Sequence, residues 1–254
     1  MTMKKVFAAL AALLALAACE RGIPTRTFSD EMKLPLAEGL SDTLSFLISL
    51  EYPEGADSVA QAMTRNILTV AFDLEEGEAT TVEETAATYE ENLVDAYIDE
   101  MSAIHEAGKE DPESAGLHSW EETITGYFGD VYRKHVTYYV EYFGYRGGAH
   151  GIPTLTPTVF SVETGAIVPE AVFFVDGYQE GVSLLLRDNL LNALDNDSEA
   201  YDALFVKDIA PNGCYDVTRK GVTWYYQPYE IGPYYLGVIS VSIPWEDLKE
   251  YVRK

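Results

Sequence analysis

The sequence predicts an α+β fold from three observations. Apolar residues recur at helical spacing through much of the first half of the chain. They alternate with polar residues through much of the second half, and tyrosines crowd there, with 4 before Val131 and 14 from Val131 onward. The two patterns occupy separate stretches, as in folds that set helices to one side of a sheet. At 254 residues, 47% of them apolar, the chain can bury a core as one domain or two small ones.

Residues 1–18 read as a signal peptide. Lys4 and Lys5 precede the apolar run Val6 to Ala15, which is too short to span a bilayer as a mature helix. The following Leu16-Ala17-Ala18-Cys19 resembles the bacterial lipobox, which implies cleavage before Cys19, lipidation of its sulfur and anchoring by several acyl chains. An ordinary secretory signal with a chance cysteine is the plainer alternative. An Asp after the cysteine would imply retention at the inner membrane, so Glu20 points to the outer membrane, facing the periplasm. Residues 19–39 have Gly22, Pro24 and Pro35 and no apolar period, and are expected to form a tether.

Residues 40–130 form the acidic, helix-rich half. Ser41 to Leu50 (SDTLSFLISL) is rich in strand formers, and Tyr52-Pro53-Glu54-Gly55 closes it. Val59, Met63, Ile67 and Val70 predict a helix from Asp57 to Asp73. Leu74 to Ala79 is an acidic loop. Thr81-Val82-Glu83-Glu84 is a capping-box pattern and opens a helix to about Ala107, with Val82, Ala86, Tyr89, Leu93, Tyr97 and Met101 as its buried stripe. Gly108 to Gly116 breaks the pattern.

Residues 131–254 form the strand-rich half. Val131 to Phe143 alternates and predicts one long strand of antiparallel type. Leu155 to Val162 and Ala166 to Val168 flank the turn Glu163-Thr164-Gly165. Gln179 to Asp195 has helical spacing on Val182, Leu185, Leu186, Asn189 and Ala193, and Asn196-Asp197-Ser198 ends it. Cys214 to Thr218 and Val222 to Gln227 pair across Arg219-Lys220-Gly221. Val238 to Ile243 is a strand, and Pro244 opens a last helix on Trp245, Leu248 and Val252.

Lys and Arg total 17 against 42 Asp and Glu, a net charge of −25, and removing Lys4 and Lys5 makes it −27. That balance excludes a nucleic-acid partner, which needs clustered cations for phosphate. Lipidation of Cys19 leaves Cys214 as the single thiol, so no internal disulfide is expected. Nothing cationic beside Cys214 in the sequence would favour its thiolate. The four histidines lie apart without H-E-x-x-H or H-x-H, and no nucleophile elbow, P-loop or dinucleotide turn occurs, so no metal, cofactor or catalytic residue is assigned.

Two segments stand out. In Tyr145-Arg146-Gly147-Gly148-Ala149-His150, glycines able to take positive φ flank an Arg and a His. The segment reads first as a tight strand crossover in which Arg146 pairs with a carboxylate and His150 bonds to backbone, and otherwise as a ligand or partner loop. In Gln227 to Gly237, Pro228 and Pro233 stiffen a loop carrying Tyr229, Tyr234 and Tyr235, which either recognise a partner or close the core's open end.

Together these stretches carry a resemblance. Tyr138-Tyr139-Val140-Glu141-Tyr142 leading to Gly147-Gly148-Ala149-His150, the Glu163-Thr164-Gly165 turn, Pro228-Tyr229-Glu230-Ile231-Gly232-Pro233-Tyr234 and Ile243-Pro244-Trp245-Glu246-Asp247-Leu248 resemble the PdaC/RsiV-like extracytoplasmic domains, from about Leu40 to the C-terminus. The resemblance implies a curved antiparallel sheet with packed helices. It also implies a binding module of the bacterial cell envelope, since that family includes a lysozyme-sensing domain and the accessory region of a peptidoglycan deacetylase. This chain carries neither an anti-sigma segment nor a deacetylase domain, so neither signalling nor deacetylation follows. The expected role is non-catalytic binding of a basic, lysozyme-like protein or of cell-wall glycan, with Tyr145, Arg146, His150, Tyr229, Tyr234 and Tyr235 as candidate contacts. The alternative is a glycan hydrolase using dispersed carboxylates.

Overall fold

The computed structural model describes residues 22–36, 41–75, 77–108 and 118–253. Its elements run β1 (Thr25–Pro35), β2 (Thr43–Pro53), α1 (Ser58–Phe72), α2 (Val82–Gly108), β3 (Trp120–Tyr132), β4 (His135–Tyr145), β5 (Ile152–Ser161), α3 (Tyr178–Ala193), α4 (Ser198–Asp202), β6 (Tyr215–Val217), β7 (Gly221–Tyr226), β8 (Ile239–Pro244) and α5 (Trp245–Leu248). Residues 1–18, Cys19 and nearly all of the stretch from Gly108 to Gly116 lie outside the described residues.

Strands β1 to β5 form one sheet in chain order, and β6 to β8 form a second. On β2, Leu44, Phe46, Ile48 and Leu50 all point to one face and are buried there. Both long helices cover that face. Helix α1 brings Met63, Ile67 and Leu68, and α2 brings Val82, Ala86, Leu93, Tyr97 and Met101. Asp57 caps α1 by accepting from the Val59 and Ala60 amides at 2.9 and 3.0 Å. Thr81 accepts from Glu84 N at 3.2 Å, as the capping pattern predicts, and a second bond runs from Thr80 N to the Thr85 hydroxyl at 3.1 Å.

The second sheet packs Val217, Val222, Trp224, Val241 and Ile243 against Val182, Leu186 and Leu190 of α3. Its other attachment is to the opposite face of β4. Thr137 Oγ1 accepts from Val217 N at 3.3 Å, and buried Asp216 accepts from the hydroxyls of Tyr139 and Tyr225 at 2.8 and 2.7 Å. Strand β4 is therefore buried on both faces, the helices lying over Tyr138 and the second sheet over Thr137.

The α+β class is observed, with four corrections. Thr25–Pro35, expected within the tether of residues 19–39, is an eleven-residue strand paired antiparallel to β2. An edge strand needs little burial, and Phe28, Met32 and Leu34 are partly buried against the core. Trp120–Tyr132 is a strand that the sequence reading did not assign, so the division at residue 131 falls inside β3. The long strand expected over Val131 to Phe143 is broken by a hairpin in which Arg133 takes φ 55. The expected antiparallel sheet is mixed, because β2 and β3 are parallel and α1 and α2 make the crossover between them.

Candidate functional site

The two loops singled out in the sequence meet at the far end of β4. Strand β4 ends at Tyr145, and Gly147 and Gly148 follow at φ 85 and 91. The Tyr145 hydroxyl closes this turn by donating to Gly148 O at 3.0 Å. Gly151 then lies so close to the strand that a Cβ there would fall 2.4 Å from the Phe143 ring.

The tyrosine loop is fixed at its base. Gln227 leaves β7 and clamps the edge of β5, its amide oxygen accepting from Leu155 N at 3.1 Å and its amide nitrogen donating to Leu155 O at 2.8 Å. Pro153 and Pro157 flank Leu155 and lack N–H groups, which blunts the same edge. Glu230 accepts from Gln227 N at 2.7 Å and tightens the turn, and Tyr229 sits within it at φ 70.

The result is an aromatic platform. His150 and Tyr234 stack with centroids 3.8 Å apart and planes 18° from parallel. Tyr229 joins at 5.8 Å from Tyr234, its hydroxyl 3.4 Å from His150 Nε2. The Tyr234 hydroxyl donates to Gly151 O at 2.7 Å and ties the two loops together. Tyr229 and Tyr235 remain 51% and 71% exposed, so flat amphipathic surface is presented outward from a braced frame.

Arg146 is not part of this platform. Tyr142, Gly144 and Arg146 alternate on the face of β4 that holds Val140, and Arg146 Nη2 reaches Glu122 Oε2 at 3.3 Å while its guanidinium covers the Trp120 ring at 4.7 Å. Glu122 is 2% exposed and faces Gly144 across the ladder. The missing side chain at Gly144 lets the Tyr142 ring lie over it and donate to Glu122 Oε2 at 3.2 Å. Tyr89 of α2 donates to Oε1. Burial first, then the Glu122 charge, pushes the Tyr142 hydroxyl up to about 12, and the same two causes raise Tyr89. Sequence reading passed over Glu122, and its signal was an acidic residue at an inward position of the alternation Trp120, Glu122, Ile124.

Tyr89 and Tyr142 also line a cleft of about 1040 Å³ together with Thr154, Thr156, Thr158 and Glu170. Glu170 accepts from the Tyr178 hydroxyl and from Gly213 N, both at 3.0 Å, and burial raises its carboxyl above the ordinary range. Cys214 lies at this cleft with its thiol pushed up to about 11 by burial, and Gln227 donates to its sulfur at 3.6 Å. Glu122 is thus engaged by Tyr89, Tyr142 and Arg146, and Glu170 by Tyr178 and Gly213.

Residues 172–246 match the family model described as "Protein of unknown function (DUF3298)". That span holds Tyr229, Tyr234 and Tyr235 and ends before the C-terminus of α5. No curated protein matches the chain. A crystal structure of a DUF3298 family member from Bacteroides fragilis is similar with a TM-score of 0.81 at 20% identity, over 92% of this chain and 95% of that one. A DUF3298 family protein from Pseudomonas aeruginosa is similar with a TM-score of 0.65 at 18% identity, over 92% and 96%. The chain therefore shares its fold, over nearly its whole described length, with solved members of the DUF3298 family.

Proposed function

We propose that this chain is a non-catalytic binding module of the PdaC/RsiV-like kind in the bacterial cell envelope, lipid-anchored at Cys19 and directed at a basic protein of the lysozyme type. The observation that carries the reading is the platform of His150, Tyr229 and Tyr234, with exposed rings on a frame tied by the Tyr234 to Gly151 bond. Aromatic anchors on a rigid base are the usual carriers of interface affinity. The net charge of −27 left after removal of Lys4 and Lys5 would steer a cationic partner toward them, with salt screening that attraction beyond about 8 Å at physiological ionic strength. Glu122 and Glu170 each accept hydrogen bonds from neighbouring tyrosines inside the fold, whereas the rings of the platform face outward, and this contrast favours binding over hydrolysis.

Calorimetry with hen lysozyme at two salt concentrations tests the reading. Tyr229→Ala and Tyr234→Ala should each weaken binding by roughly 1–4 kcal/mol at fixed salt. Binding indifferent to both tyrosines would reduce the attraction to surface charge. No binding by wild type at low salt would end the protein-partner reading and leave soluble peptidoglycan fragments as the ligand to titrate. For the anchor, detergent partitioning that is unchanged by Cys19→Ser would overturn lipidation.

A further inference from the structure

Acidic residues outnumber basic ones 42 to 17 in this chain, yet one pocket of about 520 Å³ reverses the balance. It opens at the β3–β4 hairpin, and Arg133, His135, Lys249 and Arg253 line it with no carboxylate among the lining residues. Its walls are aromatic. Tyr132 and Trp245 stack with centroids 5.6 Å apart and planes 21° from parallel, and Phe173 packs edge-on to His135 at 4.7 Å. The Trp245 indole is fixed by its bond to Thr218 O at 2.9 Å, so this wall is preformed.

The cations differ from their neighbours in how they are held. Lys134, beside Arg133, pairs with Glu163 at 2.8 Å, whereas among the described residues neither Arg133 nor Lys249 has a carboxylate within 4.0 Å. Arg133 lies over the Tyr132 ring at 5.2 Å and takes φ 55, a conformation that costs a non-glycine residue energy. Arg253 is held by Phe174 O through Nε and by Asp176 through Nη2 at 2.7 Å, which leaves Nη1 as a donor. His135 Nδ1 is buried without a partner among the described residues, and burial, reinforced by Arg133, lowers the imidazole below its ordinary value.

Two cations without a carboxylate partner among the described residues, Arg133 and Lys249, with the remaining donor of Arg253, stand beside fixed aromatic faces in a body that elsewhere repels anions, and together form a receptor for negative charge carried on a flat apolar group. We propose that this pocket binds a small organic anion, its carboxylate or phosphate taken by Arg133, Lys249 and Arg253 and its planar body laid against Trp245, Tyr132 and Phe173. The site is independent of the aromatic platform. They lie at opposite ends of β4, whose eleven residues span roughly 35 Å at about 3.3 Å each.

Titration calorimetry with phenyl phosphate, benzoate, inorganic phosphate and benzyl alcohol tests it, with Trp fluorescence as a second readout. At least one aryl anion should bind, with inorganic phosphate and benzyl alcohol each weaker by about tenfold or more, a difference of about 1.4 kcal/mol. A preference between phenyl phosphate and benzoate would identify the anionic group. Lys249→Gln and Arg133→Asn should each weaken the aryl anion by about tenfold. Both side chains are exposed and Asn tolerates positive φ, so thermal midpoints should hold, and lysozyme titrations should be unchanged. The proposal is overturned if neither aryl anion binds at about 10 mM, if inorganic phosphate binds as well as phenyl phosphate, or if both variants bind like wild type.

Discussion

Glu122 is the residue whose replacement tests the architecture most directly. Glu122→Leu removes the acceptor shared by the Tyr89 and Tyr142 hydroxyls and the counter-charge of Arg146. Each part-buried hydroxyl left without an acceptor costs about 1–2 kcal/mol. The Arg146 pair adds at most about 1 kcal/mol, because the guanidinium side is 53% exposed and screened. Burying leucine at the 2% exposed position returns about 1 kcal/mol, so the net loss is about 1–4 kcal/mol. Glu122→Gln keeps a carbonyl acceptor and should lose less than half as much. Urea midpoints at constant slope would measure all of this, and combining Glu122→Leu with Tyr142→Phe should be less than additive by about 1 kcal/mol, since both remove the same bond. A leucine variant within about 0.5 kcal/mol of wild type, with additive behaviour in the double variant, would refute the reasoning by showing that water satisfies both hydroxyls.

Three further outcomes are expected. Gly148→Ala should cost about 1 kcal/mol from its φ of 91 alone, since nothing lies within 4 Å of a Cβ there. Gly165→Ala should cost clearly more, because its Cβ would fall 2.4 Å from Val59 O and 2.7 Å from Met63 N in the backbone of α1, and equal urea midpoints would sink this account. On alkaline titration, Tyr97 and Tyr142 should stay protonated in the fold up to about 12 while the unfolded chain ionises near 10.0, chiefly because burial disfavours the phenolate. The stability they contribute is therefore whole below pH 10.0 and is lost as pH rises toward about 12; ultraviolet absorbance showing every tyrosine ionising in one step near 10.0 would contradict it. The Cys214 thiol, raised to about 11, should alkylate far more slowly at pH about 8 in the native protein than in urea, and equal rates would disprove its shielding.

What the sequence made legible follows from where burial is repetitive. The α2 stripe of Val82, Ala86, Tyr89, Leu93, Tyr97 and Met101 packs against the core as its spacing predicts, because one helix face repeats the same environment turn after turn. Strand β1 escaped the reading because an edge strand is held mainly by ladder bonds, which any residue but proline can make, and its side chains are at most partly buried. Strand β3 escaped for a different reason. Two of its inward positions are not apolar, since Glu122 receives the tyrosine hydroxyls and Gly126 makes room for Tyr138, whose oxygen would lie 2.1 Å from a Cβ there. The parallel pairing of β2 with β3 depends on which strand lies alongside, and that partner is separated from β2 in sequence by two helices.

The candidate site was legible in its parts and not in its assembly. Glycines around His150 and prolines around the tyrosines marked two loops that need unusual backbone, and each loop does take positive φ, at Gly147, Gly148 and Tyr229. Their meeting is set by Gln227 on Leu155 and by Tyr234 on Gly151, contacts between segments more than seventy residues apart that leave no local trace. Arg146 shows the converse. Its direction is fixed by the same period of two that placed Val140 and Tyr142 inward, so once β4 is known to continue through Tyr145, Arg146 must lie on the Glu122 side. Arg146, a candidate contact whose other expected role is pairing with a carboxylate, therefore covers the buried Glu122, and the rings exposed at that end of the sheet are those of His150, Tyr229 and Tyr235. Under the proposed binding role, long-range attraction would come from the acidic surface and orientation from the rings, so salt should act on the rate of encounter and aromatic truncation on the lifetime of the complex.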